Sequence, residues 1–380
     1  MQSNKLRMAI RATAAAAIFG VAGQAGAVSF DAGGWNTSVY GYARLNAVYD
    51  IDEDVGSTTQ SGNFSMINTG AAENNEATGY FDADAVQSRI GVKTTSPEGV
   101  TFNIEGDFRN GTLRLRHGYG SYNGVLAGQT WSNYNSFVGN TATLDFDSLP
   151  GTAGYQGRTA QLRYTTGALS ISAEDPQSSL YGDAAVQAAK KDGMPTFTIR
   201  LEDKAGGMSY SAAALAHQVG YDTGTNDESA FGFGAFVAAK MQITDMIDIH
   251  GALNYSDGAN SYLWRSGDNY FGSDAYIGAN GDVETIAGYA GSIGTGINLG
   301  GGRSINIGYG MTTMDWDDAE DDGLAVGGET ETNSAIMANY KWTPVKNVMM
   351  GVEYQYLKTE QVNGDDGDAN RLMFAAQYNF

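Results

Sequence analysis

The sequence predicts an all-β fold, a transmembrane antiparallel β-barrel of about 16 strands. Three observations lead to this fold class: apolar and polar residues alternate along many short segments, short and long connections alternate between those segments, and Tyr, Trp and Phe recur near the segment ends. Alternation with a period of two gives a sheet one apolar face and one polar face. In a bilayer such a sheet must close on itself, because every backbone group needs a hydrogen-bonding partner.

The composition excludes several classes of protein. The chain has 380 residues, no cysteine, five prolines and 52 glycines, and its 43 acidic residues outnumber 22 basic ones to give a net charge of −21. Without cysteine there are no disulfides, thiolate metal sites or cysteine nucleophiles. The acidic balance argues against a nucleic-acid partner, which would need clustered Lys and Arg.

Residues 1–27 are expected to be a cleaved signal peptide, and residues 28–380 to form the barrel domain. A basic start and an apolar stretch over residues 12–22 precede the Ala-Gly-Ala of residues 25–27, small residues of the kind that a signal peptidase reads. A short anchoring helix is the alternative, but the apolar stretch is shorter than the roughly 20 residues that span a bilayer. The sequence therefore predicts an exported protein.

Four segments show the alternation most clearly. Apolar side chains occupy most second positions in residues 100–108, 305–311, 336–342 and 372–380. The longest apolar run, residues 230–239, matches a tilted transmembrane strand of roughly 9–11 residues and is too short for a transmembrane helix. We therefore expect the chain to cross the membrane as strands.

Short turns and longer polar loops alternate between the strands. Seven turns are expected, at residues 96–99, 123–124, 166–167, 205–207, 244–245, 300–302 and 344–347. Eight loops are expected, at residues 52–82, 110–111, 132–157, 175–194, 219–229, 257–282, 314–331 and 361–368. Together they imply sixteen strands, of which the pairs at 208–218 and 283–298 are the least regular. A soluble β-sandwich is the alternative, but its buried face would need a core rich in Val, Leu and Ile.

Seven arginines are expected to line the pore. With Leu115 facing lipid, alternation turns Arg114 and Arg116 toward the lumen, and a charge on the lipid face would cost roughly 2–4 kcal/mol at the bilayer midplane. The same argument turns Lys93, Lys341 and Arg371 inward, and it gives the arginines expected to line the pore: Arg44, Arg89, Arg109, Arg114, Arg116, Arg163 and Arg200. The alternative is that some of them lie at strand ends or pair with carboxylates in the lumen: Glu105, Asp107, Glu202 and Glu353.

The segment 132–157 is expected to be a loop that folds into the barrel. Asp145 and Asp147 alternate there with apolar residues such as Phe146, and so apolar a loop is poorly suited to water. Inside the lumen, Asp145 and Asp147 would lie opposite the arginines and create a transverse field that orients a passing solute. A surface loop or a loop that contacts a neighbouring subunit is the alternative.

Acidic residues concentrate in the other predicted loops. The preferred interpretation is solvated loop charge; the sharper alternative is a divalent-cation site, because hard cations bind several carboxylate oxygens. Its weak candidates are Asp317, Asp318, Asp321 and Asp322. Apart from such a loop-bound cation, no cofactor is expected.

Enzymatic activity is not expected. Barrel-type hydrolases need a His with carboxylate or Ser partners, and His117, His217 and His250 lie in no recognisable triad context. By alternation with Leu115, His117 should face lipid or a neighbouring subunit.

Four segments carry a resemblance to a known family. They are LRLRHGYGSYNGVLAGQTWSNY at 113–134, YGYARLNAVYDID at 40–52, LDFDSLPG at 144–151 and GRTAQLRYT at 157–165. They resemble the DcaP-like family of outer-membrane porins. The resemblance implies sixteen strands, a homotrimer, an inward-folded third loop and a preference for small organic anions such as dicarboxylates and aromatic acids. Some members carry a helical coiled-coil extension before the barrel; here residue 28 leads almost directly into Tyr40, so a trimer would rest on the barrel walls.

The expected function is passive uptake. We expect a diffusion porin in the outer membrane of a Gram-negative bacterium, trimeric, in contact with membrane lipid and lipopolysaccharide, that passes small anionic solutes. A structural or adhesin barrel whose acidic loops bind surfaces is the alternative, and channel conductance separates the two.

Overall fold

A computed structural model describes residues 27–57, 59–75 and 78–380. The expected signal peptide, residues 1–27, lies outside the described residues except for Ala27. Strands dominate the described chain: β1 Val28–Ala32, β2 Trp35–Asp50, β3 Tyr80–Asp84, β4 Arg89–Thr95, β5 Thr101–Asp107, β6 Arg114–Tyr122, β7 Val125–Trp131, β8 Arg158–Thr166, β9 Leu169–Glu174, β10 Leu180–Tyr181, β11 Thr196–Ala205, β12 Met208–Asp222, β13 Asp227–Gln242, β14 Ile247–Asp257, β15 Ala275–Ile277, β16 Val283–Thr285, β17 Ala287–Gly300, β18 Arg303–Met314, β19 Thr330–Trp342, β20 Val348–Gln361 and β21 Asp366–Asn379. The helices are short: α1 Ala184–Ala189, α2 Asp317–Asp321 and the 3₁₀ turns Phe64–Met66, Gly70–Asn75 and Asn260–Tyr262.

These strands form a closed antiparallel barrel of sixteen strands, which confirms the predicted fold class. β3 and β4 both pair with β2 and are two halves of one interrupted barrel strand. β1 pairs with the start of β2 at the rim, and β10, β15 and β16 form a separate small sheet. Pairing of β2 with β21 closes the barrel, and the backbones of Gly41 and Phe380 exchange two hydrogen bonds of 3.1 and 3.0 Å.

The connections follow the predicted alternation of seven turns and eight loops. Asn123 and Gly124 both have positive φ, 49° and 84°, as a two-residue hairpin turn between right-twisted strands requires. Of the two least regular predicted segments, 208–218 lies within the continuous strand β12, whereas 283–298 is divided between β16 of the small sheet and the barrel strand β17. We number the eight loops L1 51–79, L2 108–113, L3 132–157, L4 175–195, L5 223–226, L6 258–286, L7 315–329 and L8 362–365.

Burial along the strands shows which face meets lipid. In β21, Leu372, Phe374 and Tyr378 are exposed, whereas Met373 and Ala375 between them are buried. A large exposed apolar face with a polar interior is the arrangement of a membrane barrel and the reverse of a soluble sandwich. Among the described residues, no helix is long and apolar enough to cross a membrane.

The expected lipid-facing position of His117 is wrong, because a β-bulge interrupts the alternation. Glu105 pairs with His117 but the next residue, Gly106, pairs with Leu115, so Arg116 is an extra residue in β6. Past a bulge the two faces of a strand exchange. His117 therefore points inward like Arg116, and its Nδ1 lies 2.9 Å from the hydroxyl of Thr130.

Candidate functional site: the constriction inside the barrel

Loop L3 folds into the barrel and lies along the inner wall from β13 to β2. Near its two ends the ring of Tyr134 packs 5.1 Å from that of Phe236, and the backbone N–H of Gly154 donates to Asn254 at 2.9 Å. Farther along, the N–H of Leu144 donates to the Glu353 carboxylate at 2.6 Å. L3 thus fills one side of the lumen and leaves the opposite wall facing the passage.

Glycines in the wall let L3 approach so closely. A side-chain carbon at Gly310 would overlap the carbonyl oxygen of Pro150, and one at Gly308 would overlap the Thr141 hydroxyl. Leu149 is fully buried against this part of the wall. The inward-facing glycines of β18 therefore provide the surface on which this part of L3 rests.

Two of the expected pore-lining arginines, Arg114 and Arg116, are tied to carboxylates of the neighbouring strand. Arg114 Nε lies 2.7 Å from Asp107 Oδ1, and Arg116 bridges Glu105 at 2.8 Å and Asp107 at 2.7 Å. Asp107 is fully buried. Both arginines face inward, but their charges are balanced in large part by these carboxylates.

Arg109 lies in L2 and connects the wall to L3. Its Nη2 lies 2.8 Å from Asp147 Oδ2, and the same nitrogen donates to the hydroxyls of Tyr270, at 2.7 Å, and Thr59, at 3.2 Å. The positive charge of Arg109 thus stabilises L3 in its position inside the barrel.

Four other inward-facing arginines contact no carboxylate within 4.0 Å in the part of the chain that the structure describes. Arg44 lies over the Phe146 ring at 4.1 Å and donates to the carbonyl of Leu144. Arg89 lies 4.9 Å from the same ring, and Arg158, at the start of β8, lies 3.9 Å from the ring of Trp131. Arg200 donates to the carbonyl of Asn135 in L3. Arg163, which is not one of these four, is buried on the inner face of β8.

One group of guanidiniums is close enough to interact electrostatically. We call it the arginine cluster: Arg89, Arg114, Arg116 and Arg158. With Glu105 and Asp107 among them, four guanidiniums face two carboxylates, so the cluster carries a net charge of +2. Sequence reasoning missed Arg158, because alternation along β8 groups it with the exposed Leu162 and Tyr164 and therefore predicts that it faces lipid.

Asp145 and Asp147 are placed differently from the expectation that they face the arginines across the passage. Both are buried. Asp145 accepts from the backbone N–H groups of Asp147, at 2.8 Å, and Gly62, at 3.3 Å. Asp147 accepts from Arg109 and from the hydroxyl of Tyr270. The half-buried ring of Phe146 between them is the group that L3 turns toward Arg44 and Arg89.

The surroundings of Asp147 stabilise the ionised form of its carboxylate. Burial raises the pKa of this carboxyl, but the guanidiniums of Arg109 and Arg265 and the hydrogen bonds to it outweigh burial and lower the pKa below its ordinary value. Asp147 is therefore a charged anchor of L3.

A second loop, L6, also enters the barrel, which sequence reasoning missed. Tyr262, Leu263, Trp264 and Arg265 are all buried. The available signal was composition, because residues 262–271 contain two tyrosines, a tryptophan and a phenylalanine, much as L3 mixes apolar with polar residues.

The candidate cation ligands lie in L7, in and just after α2. Asp322 accepts a hydrogen bond of 2.8 Å from the hydroxyl of Tyr276, while Asp317, Asp318 and Asp321 are exposed. Within the described ranges, no three His, Cys, Asp or Glu side chains are grouped so that they could hold a metal ion.

Comparisons with known proteins agree with this architecture. The family model described as DcaP outer membrane protein matches residues 26–380. The crystal structure of the outer membrane channel DcaP of Acinetobacter baumannii superposes with a TM-score of 0.80 at 26% identity, covering 93% of this chain and 100% of that one. No curated protein matches the chain.

More distant structures share the fold alone. An anion-selective porin from Comamonas acidovorans has a TM-score of 0.56 at 11% identity, covering 91% of this chain and 100% of that one. OmpT of Vibrio cholerae in its trimer form has a TM-score of 0.52 at 14% identity, covering 91% and 99%.

Proposed function

The chain belongs to the DcaP outer membrane protein family, and we propose that its outer-membrane channel passes small hydrophilic anions, dicarboxylates among them, in preference to cations. Family and structural neighbours are channels, not enzymes. Passage is driven by the solute's own gradient and needs no cofactor.

The observation that carries the proposal is the excess positive charge of the arginine cluster. Arg114 and Arg116 are largely neutralised by Asp107 and Glu105, whereas Arg89 and Arg158 contact no carboxylate within the described ranges. A passing carboxylate can supply the missing partner, and in a narrow, partly dehydrated passage this attraction exceeds that in bulk water.

A guanidinium that lies over an aromatic ring can still donate hydrogen bonds to an anion in its own plane. A ring covers one face of the planar group, and the N–H groups donate in its plane. The guanidinium carbon of Arg89 lies over the Phe146 ring at 4.9 Å and over the Tyr42 ring at 5.1 Å, and that of Arg158 lies over the Trp131 ring at 3.9 Å. Both arginines are thus held in place without losing the donors that a carboxylate accepts from.

The acidic loops do not oppose this selectivity. The chain as a whole carries a charge of −21, but exposed charges are screened beyond about 8–10 Å at physiological salt. Selectivity therefore depends on the charges within a few ångströms of the solute.

We further propose three properties of the assembled protein and its origin. They are a homotrimer in contact with lipid and lipopolysaccharide, a cleaved signal peptide, and a Gram-negative source. The trimer form described for the OmpT structure supports the first. A divalent cation at the L7 aspartates stays a prediction.

Liposome swelling tests the proposal. Purified protein in liposomes should admit a dicarboxylate faster than a neutral sugar of similar size, because only the dicarboxylate is attracted by the cluster. Equal rates would contradict the anion preference and leave a general porin. No swelling in either solute, with no conductance in planar bilayers, would favour the alternative of a structural or adhesin barrel.

A further inference from the structure

Much of the tip of L6, residues 262–271, is buried inside the barrel although it belongs to a loop between two strand ends: residues 262–267 are buried, Asp268 is exposed and residues 269–271 are half-buried. Leu263 is 2% exposed, Trp264 6% and Arg265 0%. A buried loop needs partners for its backbone and polar groups. The partners of the L6 tip are therefore the first indication of what it does.

One side of the L6 tip is bonded to L3. The indole N–H of Trp264 donates to the carbonyl of Asp147 at 2.7 Å, and Arg265 Nη1 donates to the carbonyl of Ser148 at 3.0 Å. The hydroxyl of Tyr270 donates to the Asp147 carboxylate at 3.0 Å. Burial and the neighbouring Asp147 carboxylate raise the pKa of Tyr270 to about 12, so this hydroxyl remains a donor.

The other side of the L6 tip is bonded to the barrel wall. The side chain of Asn333, in β19, donates to the carbonyls of Gly267, at 2.7 Å, and Arg265, at 3.0 Å. The hydroxyl of Thr312, in β18, donates to the carbonyl of Trp264 at 3.1 Å. The tip thus bridges the wall and L3, since it is hydrogen-bonded to both.

The bonded part of L3 directly follows the residue that faces the arginines. Phe146, whose ring lies over Arg44 and near Arg89, precedes Asp147 and Ser148. Ser148 has a φ of 56°, a left-handed conformation that a non-glycine residue adopts at a cost and that surrounding contacts must maintain. Holding Asp147 and Ser148 therefore also holds Phe146.

We infer that the L6 tip is a positioning element for the constriction. Trp264, Arg265 and Tyr270 hold residues 147–148 of L3 and thereby fix the position of Phe146. The width of the passage beside Phe146, and how much that width fluctuates, therefore depend on L6 as well as on L3. The inference rests on the chain being a channel and not on its preference for anions. Any change that loosens the L6 tip should make the aperture fluctuate.

Two tyrosine substitutions in the same loop make a matched test. Tyr270→Phe removes a hydroxyl bonded to L3, whereas Tyr276→Phe removes a hydroxyl bonded to Asp322 in L7. Trp264→Phe, which keeps an aromatic ring but removes the donor to Asp147, is the second test variant. Folding of each variant is checked first by the yield of the heat-modifiable folded form. If Trp264→Phe does not fold, Tyr270→Phe alone is compared with Tyr276→Phe.

Single-channel recording in planar bilayers gives the result. Losing one hydrogen bond to L3 should raise the population of displaced loop conformations about fivefold to tenfold. Tyr270→Phe and Trp264→Phe should therefore show substates and open-channel noise several times as often as the wild type, while Tyr276→Phe should resemble the wild type. Steady currents in all three variants would overturn the inference, as would equal noise in Tyr276→Phe. A non-selective channel would contradict the proposed function and leave this test intact.

Discussion

Replacing Arg89 with Gln should weaken anion preference by an amount that the structure sets. The arginine cluster carries a net charge of +2, and Arg89 contacts no carboxylate within the described ranges, so Arg89→Gln reduces that charge to +1. Two unit charges 4 Å apart interact by about 1 kcal/mol in a water-like medium and by more where water is excluded. The water-like value alone corresponds to about a fivefold fall for the anion and about a fivefold rise for the cation, so the anion-to-cation permeability ratio should fall about twenty- to thirtyfold.

The reversal potential of a bilayer in a potassium chloride gradient measures this ratio. Arg303→Gln is the matched control, because Arg303 is an exposed arginine at the start of β18, next to the turn from β17 and away from the cluster. Arg89→Gln should shift the reversal potential toward the value for cations, and Arg303→Gln should leave it near the wild-type value. Equal reversal potentials for Arg89→Gln and the wild type would refute the role given to Arg89.

Three further predictions concern assembly and the anchoring of L3. The double substitution Arg114→Ala with Arg116→Ala should lower the yield of folded, heat-modifiable protein, because it leaves Asp107 buried without a charged partner at a cost of about 3–5 kcal/mol. Adding Asp107→Asn and Glu105→Gln should restore the yield, and an undiminished yield in the double variant would show that the pairs do not support the wall. Deleting Phe380 should lower the folded fraction in the membrane, because its backbone exchanges two hydrogen bonds with Gly41 where the barrel closes; unchanged heat modifiability would count against that role. The pKa of Asp147 lies below its ordinary value, so its contribution to holding L3 is fully present above the ordinary pKa and is lost only as the pH falls through the lowered pKa. Single-channel noise should therefore be the same at pH 7 and pH 5 in the wild type and higher at both in Asp147→Asn, and a noise increase between pH 7 and pH 5 would contradict this anchor.

Much of the fold could be predicted because a membrane barrel is repetitive. Alternation in segments such as 305–311 and 372–380 depends only on the geometry of a strand between lipid and lumen, and turns such as Asn123-Gly124 carry their own backbone requirement. The seven turns and eight loops visible in the sequence are fifteen connections, which join sixteen strands. The inward fold of L3 could also be predicted, because the apolar residues beside Asp145 and Asp147 are unfavourable in water and have to be buried.

Features that depend on spatial neighbours could not be predicted in this way. The bulge at Arg116 reverses the face of His117, and nothing in the strand's own sequence marks the extra residue. The division of the arginines into paired and unpaired groups depends on which carboxylate of β5 lies opposite which position of β6. Alternation fixes a side chain's face but not its partner.

The placement of Asp145 and Asp147 shows the same limit inside a loop. The sequence indicated that L3 would carry charge into the lumen, but whether that charge meets the solute or the supporting loops depends on L2 and L6. In the structure, Arg109 and Tyr270 bind Asp147, and Phe146 faces the passage. Contacts between loops distant in sequence have no local pattern that would reveal them.

The central claim, that this outer-membrane channel prefers anions, is tested most directly by the reversal potential of the wild-type protein in a planar bilayer with a potassium chloride gradient. Excess positive charge in the arginine cluster predicts a reversal potential close to the chloride equilibrium value, and this preference should persist at moderate salt because the charges lie within a few ångströms of the permeating ion. A reversal potential on the potassium side of zero would contradict the account.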